Sequence, residues 1–452
     1  MLRLFDTAEA KVVPLEPRDP GKVSMYICGP TVYGPPHLGH GRFTLVFDIL
    51  RRYLEWTGAE VRYVSNVTDV DDNIIARANA EDRTEADVAV EWEEVWWRAM
   101  DALGVKRPDD TPHATAYVEQ MVETVGRLVD RGMAYETSDG VYLQAARIED
   151  YGLLARQPIE SLQAGARVEA NDEKLAPIDF ALWKKAKPDE PSWESPWGLG
   201  RPGWHTECVV MALDLLGDGF DIHGGGIDLA FPHHENERAQ AVALGRPFAR
   251  HWMHNGFVEV AGEKMSKSLG NFTTLLDLIE SVDPRAYRLL VLRSHYRSPV
   301  EVTKASTADA QTALQRLDTL ARRTADLTGS SEADPSILDR FRERMDDDLD
   351  TPGVVDLLFR TVRQANSALD GEDIGTVAPL AAAVQEICTA VGLVIGSAED
   401  GNIPAAVAEL GRRRDEARSA RDWALADELR DQLQADGWLV EDGPAGTVLR
   451  RA

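Results

Sequence analysis

Two histidines, His37 and His40, stand at the junction between a predicted strand and a predicted helix. The apolar run at 23–27 predicts a buried strand, and apolar residues at helical spacing over 41–56 predict a helix that ends at Gly58. The start of a helix offers free backbone N–H groups and the positive end of a dipole, and both favour phosphate. Imidazoles here could donate hydrogen bonds to a phosphate that gains charge. Two surface histidines near a turn are the simpler alternative.

A second short motif, KMSKS, occupies 264–268, after a strand-like run at 252–260 and a turn at Ala261-Gly262. An HxGH motif followed in this order by KMSKS resembles the class I aminoacyl-tRNA synthetases. Members of that family activate an amino acid with ATP and pass it to tRNA. The resemblance implies the same activity here, and we expect the KMSKS loop to close on the ATP phosphates.

Length and composition are those of an ordinary globular protein with several domains. The chain has 452 residues, of which 44% are hydrophobic and 28% charged. No apolar run approaches the roughly 18 residues needed to cross a bilayer, and the first residues lack the apolar core of a signal peptide. Three cysteines do not make a disulfide framework. We therefore expect a cytoplasmic protein without membrane contact.

The charge of the chain is strongly acidic, at −27. A protein that coats nucleic acid generally would be basic, so the composition argues against that class. It does not exclude a tRNA enzyme, because a local basic face can bind RNA on an acidic body.

A second strand is predicted at 60–65, so strand, helix and strand form a βαβ unit of a parallel sheet. The acidic run that follows ends in Asp71 and Asp72, just before a helix predicted to begin near Asn73. These carboxylates could coordinate a metal or cap the helix, and capping is the commoner role.

Four residues of metal-ligating type lie near these motifs: Cys28, Cys208, His233 and Glu237. The last two are four residues apart, so on a helix they share one face. Two thiolates, one imidazole and one carboxylate make a plausible zinc set. The spacing lacks the tight CxxC of a structural zinc finger, so two buried free cysteines remain an alternative.

The segments around these residues resemble the cysteinyl-tRNA synthetases specifically. The similar segments are GWHTEC at 203–208, GGGIDL at 224–229 and FPHHENE at 231–237. In that family a zinc ion is held by residues matching Cys28, Cys208, His233 and Glu237 and binds the thiol of the substrate; His234 is the alternative ligand. Cysteine and serine differ by one atom, which shape alone discriminates poorly. Zinc favours a thiolate, so no editing site is required.

The resemblance also implies the remaining parts of an active site. Cys28, Thr68, Trp204 and Asp228 would form the cysteine pocket, with Trp204 as an apolar wall. The adenine of ATP would lie against the Gly39 backbone, where the absence of a side chain permits close approach. The residues expected to hold and polarise the phosphates, with Mg²⁺, are His37, His40, Lys264, Ser266 and Lys267. One departure from the family pattern is Gly34-Pro35-Pro36 after Tyr33.

Pattern and resemblance together predict an α/β fold: a Rossmann-like parallel-sheet catalytic domain with an insertion, followed by a helical C-terminal half. The predicted segments are the first half of the catalytic domain (1–80), a connective insertion (81–202), the second half with the zinc site and KMSKS loop (203–270), a stem-contact region (271–302), a helical bundle (303–400) and a small anticodon-binding module (401–452). Within the last segment we expect one helical element at 405–433 and a strand pair at 438–440 and 447–449.

The sequence is compatible with three functions, which differ in whether cysteine is transferred and to which acceptor. The C-terminal module resembles the anticodon-reading end of cysteinyl-tRNA synthetases, with Arg418 and Asp427 for base edges and Trp423 as a stacking face; Leu449 stands where that family often has tryptophan. The partners would then be tRNA(Cys), L-cysteine and ATP, and the enzyme a monomer. A cysteine ligase of the mycothiol-synthesis type, which uses an amino sugar, shares the catalytic half. A non-catalytic, zinc-stabilised RNA-binding protein is the third possibility.

Overall fold

A computed structural model describes residues 1–156, 173–188, 190–259, 274–328, 331–396, 405–443 and 446–451. The chain forms two compact units, Met1–Leu393 and Val394–Ala452. The KMSKS motif, with Lys264, Ser266 and Lys267, lies outside the described residues.

A four-stranded parallel sheet lies at the centre of the first unit. After a short antiparallel pair, β1 (Arg3–Asp6) and β2 (Lys11–Pro14), the chain enters β3 (Lys22–Ile27), α1 (Leu38–Trp56) and β4 (Glu60–Ser65). Strand β3 pairs in parallel with β4 on one side and with β9 (Ile222–Gly226) on the other, and β10 (His251–Asn255) is next to β9. The Rossmann-like parallel sheet is thus confirmed. Because the strand order reverses at β3 and β9, their carboxyl ends border the crevice where such sheets bind ligands.

The segment between the two halves of this sheet builds a sheet of its own. It contains α2 (Asp72–Glu81), α3 (Glu85–Ala102), α4 (Val118–Asp130) and four antiparallel strands in the order β5-β6-β7-β8. The strands are β5 (Ala134–Glu136), β6 (Gly140–Leu143), β7 (Phe180–Lys185) and β8 (Gly200–Pro202). Their core includes the fully buried Leu182 and Trp183. The second half resumes with α5 (Trp204–Leu215), β9, α6 (Glu235–Leu244) and β10.

The carboxylates before α2 have separate roles. Asp71 is the N-cap, and its Oδ1 accepts from the Asn73 N–H at 2.8 Å. Asp72 is the first helical residue and pairs with Lys184 at 3.0 Å and with Arg201. The capping interpretation is therefore confirmed for Asp71, whereas Asp72 ties α2 to the strands of the inserted sheet.

The prediction of one continuous strand over 252–260 is wrong. It divides into β10 and the two-residue β11 (Val258–Glu259), which pairs with β12 (Val300–Glu301) rather than with the central sheet. Gly256 lies at the change of direction, where an added Cβ would be 2.6 Å from the Arg297 carbonyl oxygen. Only glycine fits in so little space. Sequence periodicity cannot predict such a contact between distant segments.

The rest of the first unit is helical, as predicted. Its helices are α7 (Leu275–Ser281), α8 (Pro284–Leu292), α9 (Lys304–Arg323), α10 (Ala325–Thr328), α11 (Pro335–Asp346), α12 (Thr351–Asp370) and α13 (Ile374–Ala390). Within the described ranges, no helix is both long and apolar enough to cross a membrane. The predicted segment boundaries inside this unit stay predictions.

The second unit contains two helices where the sequence predicts one element. They are α14 (Ala405–Ser419) and α15 (Trp423–Ala435), separated by Arg421 at φ +60°, and Asp422 caps the second. Strands β13 (Trp438–Gly443) and β14 (Gly446–Arg451) form the predicted hairpin. Leu449 is 9% exposed and packs in the core of this unit, where an added Cβ on Gly411 would be 2.7 Å from its Cδ1.

Candidate active site and metal centre

The two histidines of the HLGH motif cap their own helix. The N-terminus of α1 is at Leu38, three residues earlier than predicted, because His37 is the N-cap. His37 Nδ1 accepts from the His40 N–H at 3.3 Å, and His40 Nδ1 accepts from the His37 N–H at 3.2 Å. The rings stack with centroids 3.6 Å apart. With both Nδ1 atoms acting as acceptors, the ring protons reside on Nε2, so each ring keeps one N–H donor.

Both imidazoles are neutral at neutral pH. Burial lowers the pKa of His40 to about 3, and the neighbouring His37 adds to the effect. Burial also lowers the pKa of His37, although Asp228 nearby opposes it. Gly39 lies beneath the His37 ring, where an added Cβ would be 3.0 Å from two ring atoms. A side chain at this position would therefore disturb the cap as well as cover the backbone.

The loop before the motif, which departs from the family pattern, is held through its main chain. Arg77 donates to the Tyr33 carbonyl at 2.8 Å, and the Leu275 N–H donates to the Pro36 carbonyl at 2.9 Å. Tyr287 donates to the Leu38 carbonyl at 2.7 Å. The loop leaves the capped histidines in place.

Cys28, Cys208, His233 and Glu237 meet at the carboxyl end of β3, with their potential ligand atoms within 4.8 Å of one another. All four side chains are buried. The two sulfurs are 3.7 Å apart, Cys208 Sγ is 3.6 Å from His233 Nε2, and Cys28 Sγ is 3.5 Å from Glu237 Oε1. Tetrahedral zinc with ordinary bond lengths would place its sulfurs about 3.8 Å apart and sulfur and nitrogen about 3.6 Å apart. The donor set and its spacing therefore fit zinc.

The charges of this cluster also suit a cation. Hydrogen bonding from the Cys28 thiol lowers the pKa of Cys208, whereas burial raises the pKa of Cys28. Burial would raise the pKa of Glu237, but His223 and His233 hold it well below its usual range. Burial would lower the pKa of His233, but Glu237 and Cys208 raise it to about 10. A buried carboxylate and a thiolate thus draw positive charge to one point.

Two further histidines, for which the sequence predicts no role, contact the ligand set. His205 Nδ1 lies 2.9 Å from His233 Nδ1, and His223 Nε2 lies 2.8 Å from Glu237 Oε2. The other nitrogen of His223 lies 3.1 Å from the Tyr26 carbonyl oxygen. Metal-binding side chains usually have such outer partners. Both histidines lie inside or beside the segments that resemble the family, which is the signal that could have found them.

His234, the alternative ligand, lies in a second grouping with Cys28, His223 and Glu237. Its Nδ1 is 2.8 Å from His254 Nε2, and its buried Nε2 has no hydrogen-bond partner among the described residues. This grouping contains only one of the two cysteines. The first set offers two thiolates to a metal that prefers them, so it is the better zinc site.

The predicted pocket residues Trp204, Thr68 and Asp228 differ in exposure and in contacts. Trp204, 38% exposed, stacks on His233 with ring centroids 4.1 Å apart, as an apolar wall would. Thr68 is buried, and its hydroxyl donates to Glu207 Oε2 at 2.9 Å. Asp228 lies in the short turn Ile227–Leu229 that follows β9. The hydroxyl of Thr68 therefore donates to the buried side chain of Glu207, for which the sequence predicts no role.

The three residues predicted to read the anticodon lie in the second unit. Arg418 is in the last turn of α14, and Trp423 and Asp427 are four residues apart in α15. The Trp423 ring is 60% exposed. Asp427 pairs with Arg430 at 3.2 Å.

Comparison with known families agrees with this geometry. A family model for the catalytic domain of class I (C) tRNA synthetases matches residues 14–312, and a DALR domain model matches residues 340–395. Methionyl-tRNA synthetase of Mycobacterium tuberculosis, in complex with methionyl-adenylate, has a similar fold with a TM-score of 0.62. It covers 82% of this chain and 89% of its own at 16% identity. Fold and site together define a class I tRNA synthetase.

Curated relatives narrow the class. The cysteine–tRNA ligase of Serratia proteamaculans (strain 568) is 44% identical over 463 residues, which cover 100% of both chains. That of Syntrophotalea carbinolica is 42% identical over 475 residues, covering 99% of both chains. The chain belongs to the cysteine–tRNA ligase family.

Proposed function

We propose that this chain activates L-cysteine with ATP to cysteinyl-adenylate and transfers the cysteinyl group to the 3′ end of tRNA(Cys). One observation carries the proposal: the helix capped by two neutral imidazoles and the buried two-cysteine cluster border the same crevice of the parallel sheet. The first feature suits a phosphate and the second suits a thiol-selective metal.

Zinc would be held by Cys28, Cys208, His233 and Glu237. When bound, it favours a thiolate over an alcohol and so selects cysteine over serine. The chain's own contribution is to keep four donors buried and oriented, with His205 behind His233 and His223 behind Glu237. Trp204 closes one side of this cluster to water.

In the activation step the cysteine carboxylate attacks the α-phosphate of ATP. A new O–P bond forms while the bond to pyrophosphate breaks. His37 and His40 would donate their Nε2 protons as hydrogen bonds to phosphate oxygens, and they need not lose those protons. Lys264 and Lys267 would neutralise the departing charge with Mg²⁺, and Ser266 would assist in holding ATP. In the transfer step a hydroxyl of the terminal ribose attacks the carbonyl carbon and AMP leaves.

The second unit would bind the anticodon of tRNA. The exposed face of Trp423 supports stacking of an unpaired base, and Arg418 and Asp427 would contact base edges. We further propose that the protein is cytoplasmic and acts as a monomer.

Charging of total tRNA with labelled cysteine, beside cysteine-dependent ATP–pyrophosphate exchange, tests the proposal. We expect both activities, with tRNA(Cys) as the acceptor. Exchange without charging would instead support a ligase with another acceptor, of the amino-sugar type. Zinc binding with neither activity would support the non-catalytic RNA-binding alternative.

A further inference from the structure

A buried arginine lies two residues after the HLGH motif. The Arg42 side chain is 0% exposed, and every acceptor that its guanidinium finds among the described residues is a main-chain carbonyl. The acceptors are the carbonyl oxygens of Phe257, Tyr296 (3.2 Å), His295 (3.4 Å) and Ser298. A single side chain of α1 therefore binds two segments that are more distant in sequence.

Arg42 has no carboxylate counter-ion within the part of the chain that the structure describes. Arg288, buried to a similar degree, pairs with Asp48 at 2.6 Å. A buried cation without an anion is costly unless hydrogen bonds compensate for lost water. Burial lowers the pKa of Arg42 to about 10, so it remains charged at neutral pH. Its two terminal nitrogens donate to backbone carbonyls, whereas its buried Nε has no hydrogen-bond partner among the described residues.

One of the carbonyls that Arg42 holds, that of Phe257, lies where the chain leaves the central sheet, and the other three lie in the 295–298 loop. Phe257 lies between β10 and β11, where the chain turns away from β9. The Gly256 N–H donates to the Tyr296 carbonyl at 2.8 Å, and β11 pairs with β12. The KMSKS motif begins five residues after Glu259 in the sequence. Arg42 therefore ties α1 to the residue that precedes β11.

The 295–298 loop is itself fixed from its other side. Tyr296 donates to Asp348 Oδ1 at 2.7 Å, and Arg297 Nε donates to Asp348 Oδ2 at 2.9 Å. Because Asp348 holds this loop, we expect loss of the Arg42 contacts mainly to let β11 move relative to α1.

We propose that Arg42 is a positioning residue for amino-acid activation: its guanidinium holds β11 and the 295–298 loop in register with the first turns of α1, and so with His37 and His40. The inference rests on the proposed function. Arg42 forms no hydrogen bond with those predicted substrate-binding residues that the structure describes, so it acts through the backbone that it holds.

The test compares wild type, Arg42→Met and Arg42→Lys in cysteine-dependent ATP–pyrophosphate exchange, with zinc content measured on the same samples. A misplacement of about 1 Å costs about 100-fold in rate. We expect Arg42→Met to lower kcat about 100-fold while the KM for cysteine and the zinc content stay at the wild-type values. Arg42→Lys keeps a cation that can donate to the same carbonyls and should recover part of that kcat.

Arg288→Met is the matched control. Arg288 is as buried as Arg42 and donates to the carbonyls of Leu103, Gly104 and Val391, but it does not contact β11 or the 295–298 loop. We expect this variant to lower the unfolding temperature and leave kcat per folded molecule unchanged. A wild-type kcat in Arg42→Met, or an equal loss in Arg288→Met, would overturn the inference.

If Arg42→Met does not fold, Arg42→Lys tests the inference instead. A wild-type kcat in Arg42→Lys would overturn the inference. A reduced kcat with an unchanged KM for cysteine would support it. Wild-type protein without cysteine-dependent exchange would refute the proposed function and the inference with it. Exchange by wild type with no kcat change in the Arg42 variants would refute the inference alone.

Discussion

The indole of Trp204 stacks on the imidazole of His233, with ring centroids 4.1 Å apart and planes inclined by 29°. The ring of Trp204 is partly exposed, whereas His233 is buried. The indole is thus the layer between the candidate metal ligands and solvent, which is the place for the wall of a substrate pocket.

Trp204→Ala should therefore raise the KM for cysteine about 10-fold, because the apolar contact is lost. Trp204→Phe keeps a ring and should raise it less. Initial rates of pyrophosphate exchange at varied cysteine would measure both. Trp97→Ala is the control and should leave this KM unchanged. Trp97 lies in α3, and its ring packs against Arg107.

Cys208→Ser should weaken both zinc retention and cysteine activation, because a serine hydroxyl is a poor zinc ligand at neutral pH. Zinc content after dialysis and the exchange rate are the two measurements. Cys388→Ser offers a matched control, since that cysteine is also free and buried but lies in α13. Wild-type zinc content in Cys208→Ser would refute its assignment as a ligand.

His37→Asn separates capping from catalysis. Asparagine is a favoured N-cap residue, so the helix should lose less than about 1 kcal/mol of stability. The Nε2 donor is lost, however, and removal of one such donor costs on the order of 100-fold in kcat. The urea midpoint should therefore stay nearly constant while the exchange kcat falls. Equal activity of the two proteins would show that His37 serves only the cap.

The pKa of His40 predicts a pH dependence of stability. The unfolded histidine takes up a proton near pH 6.5, whereas the folded one stays neutral down to about 3. The contribution of neutral His40 to the free energy of unfolding is therefore fully present above pH 6.5. It is lost as the pH falls toward 3, at about 1.4 kcal/mol per pH unit. Between about pH 4 and 5.5, the free energy of unfolding measured with urea should change with pH less steeply in His40→Asn than in wild type, by a slope that corresponds to about one proton. Identical slopes would mean that folding does not perturb this imidazole.

Trp423→Ala should separate tRNA binding from activation. Stacking of a base on an aromatic ring is worth about 1–3 kcal/mol, so the KM for tRNA should rise about 10-fold or more. Because the ring is 60% exposed, folding should be unaffected. Cysteine-dependent exchange without tRNA should stay at the wild-type rate. Leu439→Ala, also exposed and in the same unit, should change neither measurement.

Local patterns in the sequence determined much of the fold. The strand, loop and helix around HLGH, the parallel βαβ unit and the helical second half follow from apolar periodicity and from glycine and proline positions, which act over a few residues. The zinc set was named by resemblance, because Cys28 and Cys208 are separated by 180 residues and spacing alone does not join them.

Contacts across the chain were decided only by the tertiary structure. Arg42 meets a carbonyl 215 residues away, Thr68 is committed to Glu207, and Gly256 breaks a predicted strand because two carbonyls approach it. His205 and His223 became orienting residues only when α5, β9 and α6 packed together. Periodicity states which face of an element is buried, but hydrogen bonds between buried groups depend on which elements meet, and that is a property of the folded chain.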